Sequence, residues 1–145
     1  MTAAQPRLIE ISGAEALWLL EGATTGRLLY GFAGITAIRP ARHILEHGSL
    51  VVRAPVPLDV LVPPDETVPM VTYHADEIDP ATARGWSVAA TGPARPLPPG
   101  PERDHYRRVL PGWVHGPHDA IVRIRPHVTT AHRLGRPLTA VTDRG

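Results

Sequence analysis

The sequence predicts a mainly β protein, an antiparallel barrel of about six short strands with two or more short helices. Apolar and β-branched residues recur in short runs that Gly- and Pro-containing turns separate. One helical segment precedes these runs and another interrupts the last of them, which is typical of antiparallel barrels, whereas a doubly wound sheet needs regularly alternating helices. The 145 residues suit a single domain at 1–145, with its core at about 7–134 and a loose tail at 135–145.

The first helix is predicted at about 13–21. Ser12 and Glu15 have the spacing of a capping box, and apolar residues follow them. Gly22 and the turn at 24–26 end the helix. Three strands are then predicted, joined by turns at 31–34 and 46–48, and they lie at 27–32, 35–45 and 49–54.

Proline shapes the second half of the chain. Five prolines between 55 and 69 predict a stiff connecting loop, and Pro101 suits the first turn of a short helix at 102–110. Pro40, which has no backbone donor, predicts an edge or a bulge in its strand. The other predicted elements are a strand pair at 68–75 and 84–94 around a turn at 76–83, a link at 93–101, and last strands at 119–125 and 127–134.

Composition excludes several classes of function. The chain has no cysteine, and all 15 basic residues are arginine, so thiolate sites, disulfides and lysine Schiff bases are ruled out. A net charge of +1 does not favour nucleic-acid binding. No apolar run approaches the roughly 18 residues of a membrane span, and no basic and then apolar leader opens the chain, which predicts a cytoplasmic protein without membrane contact.

Five short segments resemble one known family. The most informative is Gly85-Trp86-Ser87-Val88 after the acidic turn at 76–82, and the others lie at 25–29, 38–41, 48–53 and 122–126. In order and spacing they resemble the pyridoxamine 5'-phosphate oxidase-like group over roughly residues 10–134. The resemblance implies a six-stranded split β-barrel that holds FMN at the interface of a homodimer and acts as an oxidoreductase on a small-molecule substrate.

The resemblance also implies a cofactor site. Arg53 is its best phosphate ligand and Arg39 the next, while Trp86 would stack on the ring. The residues implied to bind the cofactor are Ile38, Arg39, Pro40, Ala41, Val52, Arg53, Ala54, Trp86 and Ser87.

One departure from the family pattern leaves the cofactor open. Flavin-binding relatives follow the strand arginine with a threonine, a turn rich in Gly, Ser and Thr, and a lysine, whereas this chain has Ala54-Pro-Val-Pro-Leu-Asp-Val60. The phosphate donors are lost and Asp59 brings a negative charge, which would weaken FMN binding. Besides FMN, the chain therefore fits the deazaflavin F420, or a flavin-free barrel that binds a small metabolite or catalyses a non-redox biosynthetic step.

Histidine gives weaker indications. His115 and His118 flank a Gly-Pro loop that does not fix two imidazoles as a helix would, so we predict no metal site. His43 or His74 would serve as an acid–base group or, in a third alternative, as an axial haem ligand.

Overall fold

A computed structural model describes residues 7–112 and 118–135. Within these ranges the chain forms eight strands and three helices. In chain order they are β1 Arg7–Glu10, α1 Gly13–Gly22, β2 Thr25–Phe32, β3 Ile35–Glu46, β4 Ser49–Pro55, α2 Leu58–Leu61, β5 Met70–Asp79, β6 Arg84–Pro96, α3 Pro101–Val109, β7 Asp119–Ile124 and β8 Val128–Gly135.

Six of the strands close a ring. They pair antiparallel in the order β6, β5, β2, β3, β4 and β7, and β7 returns to pair with β6. The predicted six-stranded antiparallel split barrel with short helices is therefore confirmed. Strands β8 and β1 extend the sheet beyond β6, and the sequence had not predicted β1.

The split arises because β6 pairs with two strands along one side. Gly85–Thr91 pairs with β8, and Ala94–Pro96 pairs with β7. Gly92 lies between these two pairings, where the chain bends away from β7. A Cβ at Gly92 would stand 1.9 Å from the carbonyl oxygen of Arg125, so only glycine allows the two backbones to approach this closely.

Three predicted loops contain regular structure, since β6 continues to Pro96 inside the predicted link at 93–101. β5 continues to Asp79, so the connection to β6 is a tight turn in which Ala83 has a positive φ of 56°, and the predicted turn at 76–83 was wrong at its first four residues. The short helix α2 lies inside the predicted loop at 55–69, and Pro57 stands at its N-cap. The hairpins on either side of β3 turn at the predicted places through pairs of residues with positive φ.

Inward side chains of the ring form the main core, which α1 covers with Ala16, Leu19 and Leu20. A second and smaller core lies outside the ring, where α3 packs Tyr106 and Leu110 against outward side chains of β4 and β7. The barrel therefore has one outer face buried by α3, while its other faces remain available.

A polar chain of contacts crosses the main core. The Nε2 atom of His43 donates to the carbonyl oxygen of Leu20 in the last turn of α1 over 2.8 Å, so its Nδ1 must accept from the Tyr73 hydroxyl at 2.5 Å. Burial lowers the pKa of His43 and raises that of Tyr73. Gly26 leaves room for this hydroxyl, since a Cβ there would lie 2.6 Å from it.

Pro40 lies on an edge, as predicted. β3 pairs with β4 only from Arg42 onward, whereas Pro40 faces Arg27 of β2. Within the described ranges, residues 35–41 have no strand on their other side. This half of β3 therefore offers free backbone groups to a ligand or to another chain.

Candidate functional site

The outward face of β3, β2, β5 and β6 carries the candidate site. Side chains alternate along each strand, so one set fills the core and the other faces outward. On the outward side lies an open depression of ≈ 360 Å³. It is lined by Thr25, Gly26, Arg27, Ile38, Pro40 and Asp76.

Four polar side chains adjoin this depression. A nitrogen of the Arg27 guanidinium lies 3.2 Å from Nδ1 of His74 and 3.6 Å from a carboxylate oxygen of Asp76. The other ring nitrogen, Nε2, lies 2.9 Å from the hydroxyl of Ser87. Because a guanidinium only donates, Nδ1 of His74 accepts and Nε2 carries the proton that it donates to Ser87.

The Arg27 side chain can present its positive charge to a ligand. The Arg27 side chain is 49% exposed and the Asp76 side chain 31%, so their ion pair is open to water and contributes at most about 1 kcal/mol. A bound anion can therefore compete for Arg27 at little cost. His74 accepts a hydrogen bond from the Arg27 guanidinium and donates one to Ser87, so it links Arg27 to β6.

The structure separates the residues predicted at 38–41. Ile38 is 53% exposed and lines the depression with Pro40, whereas Ala41 is fully buried in the main core. Arg39 points to the other side of β3, donates to the carbonyl oxygen of Ile38 at 2.9 Å and lies 5.8 Å from the centre of the Tyr30 ring. From this segment, two side chains and the free backbone edge are thus available to a ligand.

The residues predicted at 52–54 are buried or half-buried. Val52 and Ala54 are buried in the main core. The Arg53 guanidinium binds both carboxylate oxygens of Asp119, at 2.9 and 2.7 Å, and donates to the carbonyl oxygens of Arg107 and Leu110 at the end of α3. Hydrogen bonding to Asp119 raises the pKa of Arg53. Arg53 therefore joins β4, β7 and α3, and its phosphate role remains a prediction.

Trp86 and Ser87 face opposite sides of β6, as their alternation predicted. Ser87 belongs to the outward row beside His74. Trp86 is partly buried against the main core and borders a shallow hollow near Trp18 of α1. Of these two residues, only Ser87 shares a face with Ile38 and Pro40.

Sequence reasoning missed Arg27, His74 and Asp76 as members of one site. Arg27 lies in a segment that carried the family resemblance, but no role followed from it, and His74 was considered only as an acid–base group or a haem ligand. The register of β2 and β5 places Arg27 directly opposite His74, and this pairing is not visible in the linear sequence.

The described residues include neither a cluster of metal-ligating side chains nor a helix that could span a membrane. Among residues 7–112 and 118–135, no three His, Asp or Glu side chains cluster in a way that could hold a metal ion, and His115 lies outside the described residues. Within the same ranges, no helix has the length and apolar character that crossing a bilayer requires.

A closed antiparallel ring with two added strands, open on one outward face, defines a split β-barrel protein. A family model described as pyridoxamine 5'-phosphate oxidase matches residues 12–136, and the chain belongs to this family. The predicted family is thereby confirmed.

Relatives agree with this assignment. An uncharacterised protein of Mycobacterium tuberculosis is 34% identical over 131 residues, which cover 88% of this chain and 86% of that protein. An FAD-binding protein from Mesorhizobium loti shares the fold with a TM-score of 0.72 and 18% identity, over 90% of this chain and 99% of that one. An FAD-binding protein from Mycobacterium smegmatis gives 0.62 and 22%, over 86% and 98%.

Proposed function

We propose that this protein binds a flavin on the outward face of β3, β2, β5 and β6 and acts as an oxidoreductase. The observation that carries the proposal is the depression beside Ile38 and Pro40, where free backbone of β3 adjoins an accessible cation at Arg27. A flavin ring needs backbone hydrogen bonds along its edge and an apolar surface against its face, and its phosphate needs a cation. The depression offers all three.

The protein's own residues would bind and orient the cofactor, whose isoalloxazine supplies the hydride chemistry when bound. Ile38 and Pro40 would pack against the ring, and backbone groups of 38–41 would hydrogen-bond its edge. Arg27 would attract the negative charge of the cofactor, with His74 and Ser87 fixing its position. FMN, FAD and F420 all carry such a charge, so the choice among them is left to the binding experiment.

A homodimer would complete the site. Five outward-facing side chains, one from each of five neighbouring strands, form a cross-strand row of Ile38, Leu29, Thr72, Thr91 and Val128. It is uncharged, and the side chains at its two ends are 53% and 59% exposed. A second copy packed on this row would bury these ends and enclose the open depression, which is the arrangement that a larger planar ligand requires.

A flavin-free barrel is the second candidate, and Arg53 is the observation that favours it. Its guanidinium is engaged by Asp119 and two carbonyl oxygens, so it can reach a phosphate only by breaking this arrangement. The same outward depression would then hold a small metabolite that has no phosphate at this position.

An absorbance spectrum and a thermal-shift series with FMN, FAD and F420 test the proposal. We expect at least one cofactor to raise the melting temperature, and we expect Ile38→Asp to weaken its binding at least tenfold and to shift the protein towards a monomer. Ile35→Asp is the matched control, because Ile35 is 68% exposed on the same strand and lies outside the depression.

Three outcomes separate the candidates. If none of the three cofactors stabilises the protein, flavin binding is refuted, and stabilisation by a phosphate-free metabolite would support the second candidate. If a flavin binds equally well to Ile38→Asp, the location of the site is wrong. Light scattering at several concentrations gives the oligomeric state independently.

A further inference from the structure

Three arginines line a second groove on another face of the barrel. Arg95 lies on β6, Arg123 on β7, and Arg125 directly follows β7. All three border a depression of ≈ 480 Å³, and Arg123 and Arg125 also border an adjoining one of ≈ 630 Å³. These volumes are in the range of small-molecule sites, about 300–1,000 Å³.

The strand register brings two of these charges together. Arg95 pairs directly with Arg123 in the antiparallel ladder of β6 and β7, and both side chains face outward. Like charges directly opposite each other destabilise a sheet. Glu102 offsets part of this repulsion by pairing with Arg123, and a bound anion would offset more of it.

The ≈ 480 Å³ depression has too few carboxylates to neutralise these cations. Glu102 at the start of α3 binds Arg123 at 2.9 Å. The Arg95 and Arg125 side chains are exposed and form no hydrogen bond or ion pair with any residue that the structure describes. Three guanidinium groups therefore face one carboxylate in the ≈ 480 Å³ depression.

Part of the lining of the depression, the proline-rich wall, is apolar. Pro93, Pro96 and Pro98 contribute rings and Leu97 a side chain, and the proline-rich backbone holds this wall in place with little conformational freedom. Apolar residues and guanidinium groups in one depression suit an organic anion that has both a charged group and a carbon skeleton. Guanidinium forks match the several oxygens of a phosphate particularly well.

This groove is distinct from the proposed flavin face. In the six-stranded ring, the β2 and β3 pair lies across from the β6 and β7 pair, with β5 between them on one side and β4 on the other. β6 contributes Ser87 to one site and Arg95 to the other, but the two depressions have no lining residue in common.

We propose that Arg95, Arg123 and Arg125 form a binding site for a small organic phosphate, whose phosphate contacts the guanidinium groups and whose carbon skeleton packs on the proline-rich wall. An inorganic phosphate shares the charge but lacks the apolar part. The structure therefore assigns tighter binding to phenyl phosphate than to inorganic phosphate.

Isothermal titration of the full chain with phenyl phosphate, inorganic phosphate and sodium chloride at matched ionic strength tests this site. We expect saturable binding of phenyl phosphate and at least tenfold weaker binding in a variant that combines Arg95→Gln with Arg125→Gln. Arg84→Gln combined with Arg108→Gln is the matched control, since it removes two exposed arginines away from the groove and should leave affinity unchanged.

The melting temperature of the unliganded protein is a second measurement, and there we expect no loss in the double variant. Since Arg95→Gln relieves the repulsion from Arg123, we expect the double variant to melt no lower than the wild type, whereas an ordinary structural role would lower the melting temperature. Phenyl phosphate that fails to saturate in the millimolar range, or that binds the double variant as tightly as the wild type, would overturn the proposal. Equal affinities for phenyl and inorganic phosphate would refute the role of the wall.

Discussion

Replacing Arg53 with methionine should destabilise the protein by about 3 kcal/mol. Removing one partner of a buried ion pair costs about 3–5 kcal/mol. The Arg53 and Asp119 side chains retain 13% and 19% exposure, and Arg107 remains 3.4 Å from the same carboxylate, so we expect the lower end of that range. At about 2–4 °C per kcal/mol for a chain of this size, the melting temperature should fall by about 6–12 °C.

Urea denaturation of matched variants measures this effect. Arg53→Lys keeps the charge, but one ammonium group cannot span both carboxylate oxygens and also reach the carbonyl groups of α3, so it should recover less than half of the loss. Arg39→Met is the control, since among the described residues the Arg39 guanidinium interacts with its neighbouring carbonyl group and the Tyr30 ring, and it should cost less than about 1 kcal/mol. A loss for Arg53→Met no larger than that of the control would refute the reasoning.

The same variants also decide the role that the sequence predicted for Arg53. If Arg53 is a structural connector, its loss lowers the free energy of unfolding, and flavin affinity measured well below the melting temperature stays the same. If Arg53→Lys keeps its stability and loses flavin affinity, the residue binds the cofactor phosphate instead.

Two further predictions concern the core and the split. Burial lowers the pKa of His43, so below the ordinary value of 6.5 the unfolded chain takes up a proton that the folded protein excludes. The free energy of unfolding is therefore full above that pH and falls as the pH decreases, by at most about 1.4 kcal/mol per pH unit. Urea midpoints at several pH values should show this slope, and His43→Gln should reduce it. Gly92→Ala should lower the free energy of unfolding by more than about 3 kcal/mol, because its Cβ would meet the carbonyl oxygen of Arg125. The control is Gly22→Ala, which has nothing within 4 Å of the added Cβ and should be neutral or stabilising by up to about 1 kcal/mol. Similar melting temperatures for the two variants would contradict this account of the split.

The barrel was predictable because its strands carry local signals. Apolar alternation, two-residue turns and the capping box at Ser12 located α1 and most of the strands, and the structure has the same N-cap with the Ser12 hydroxyl accepting from the backbone of Glu15. β1 was not predictable, because its four residues are all exposed and carry no alternation. Its formation depends on pairing with β8, which is more than 100 residues away in the chain.

The candidate site was only partly predictable, for a similar reason. A motif identifies a segment, and the alternation of side chains then decides which of its residues a ligand can reach. Ile38 and Pro40 face outward, whereas the next residue, Ala41, faces inward and is buried in the main core. Arg53 looked available in the sequence, and its partner Asp119 lies 66 residues further on. Interactions at that separation leave no signal in a local pattern.

The late position of β7 has a consequence for how this chain is made. Until residues 119–124 leave the ribosome, β4 and β6 are the two unpaired edges of a five-stranded sheet in the order β6, β5, β2, β3 and β4. Nascent chains that pause before this point would expose two long edges that can pair with a neighbouring polypeptide. The last strands thus protect the product from intermolecular sheet growth as well as completing the structure.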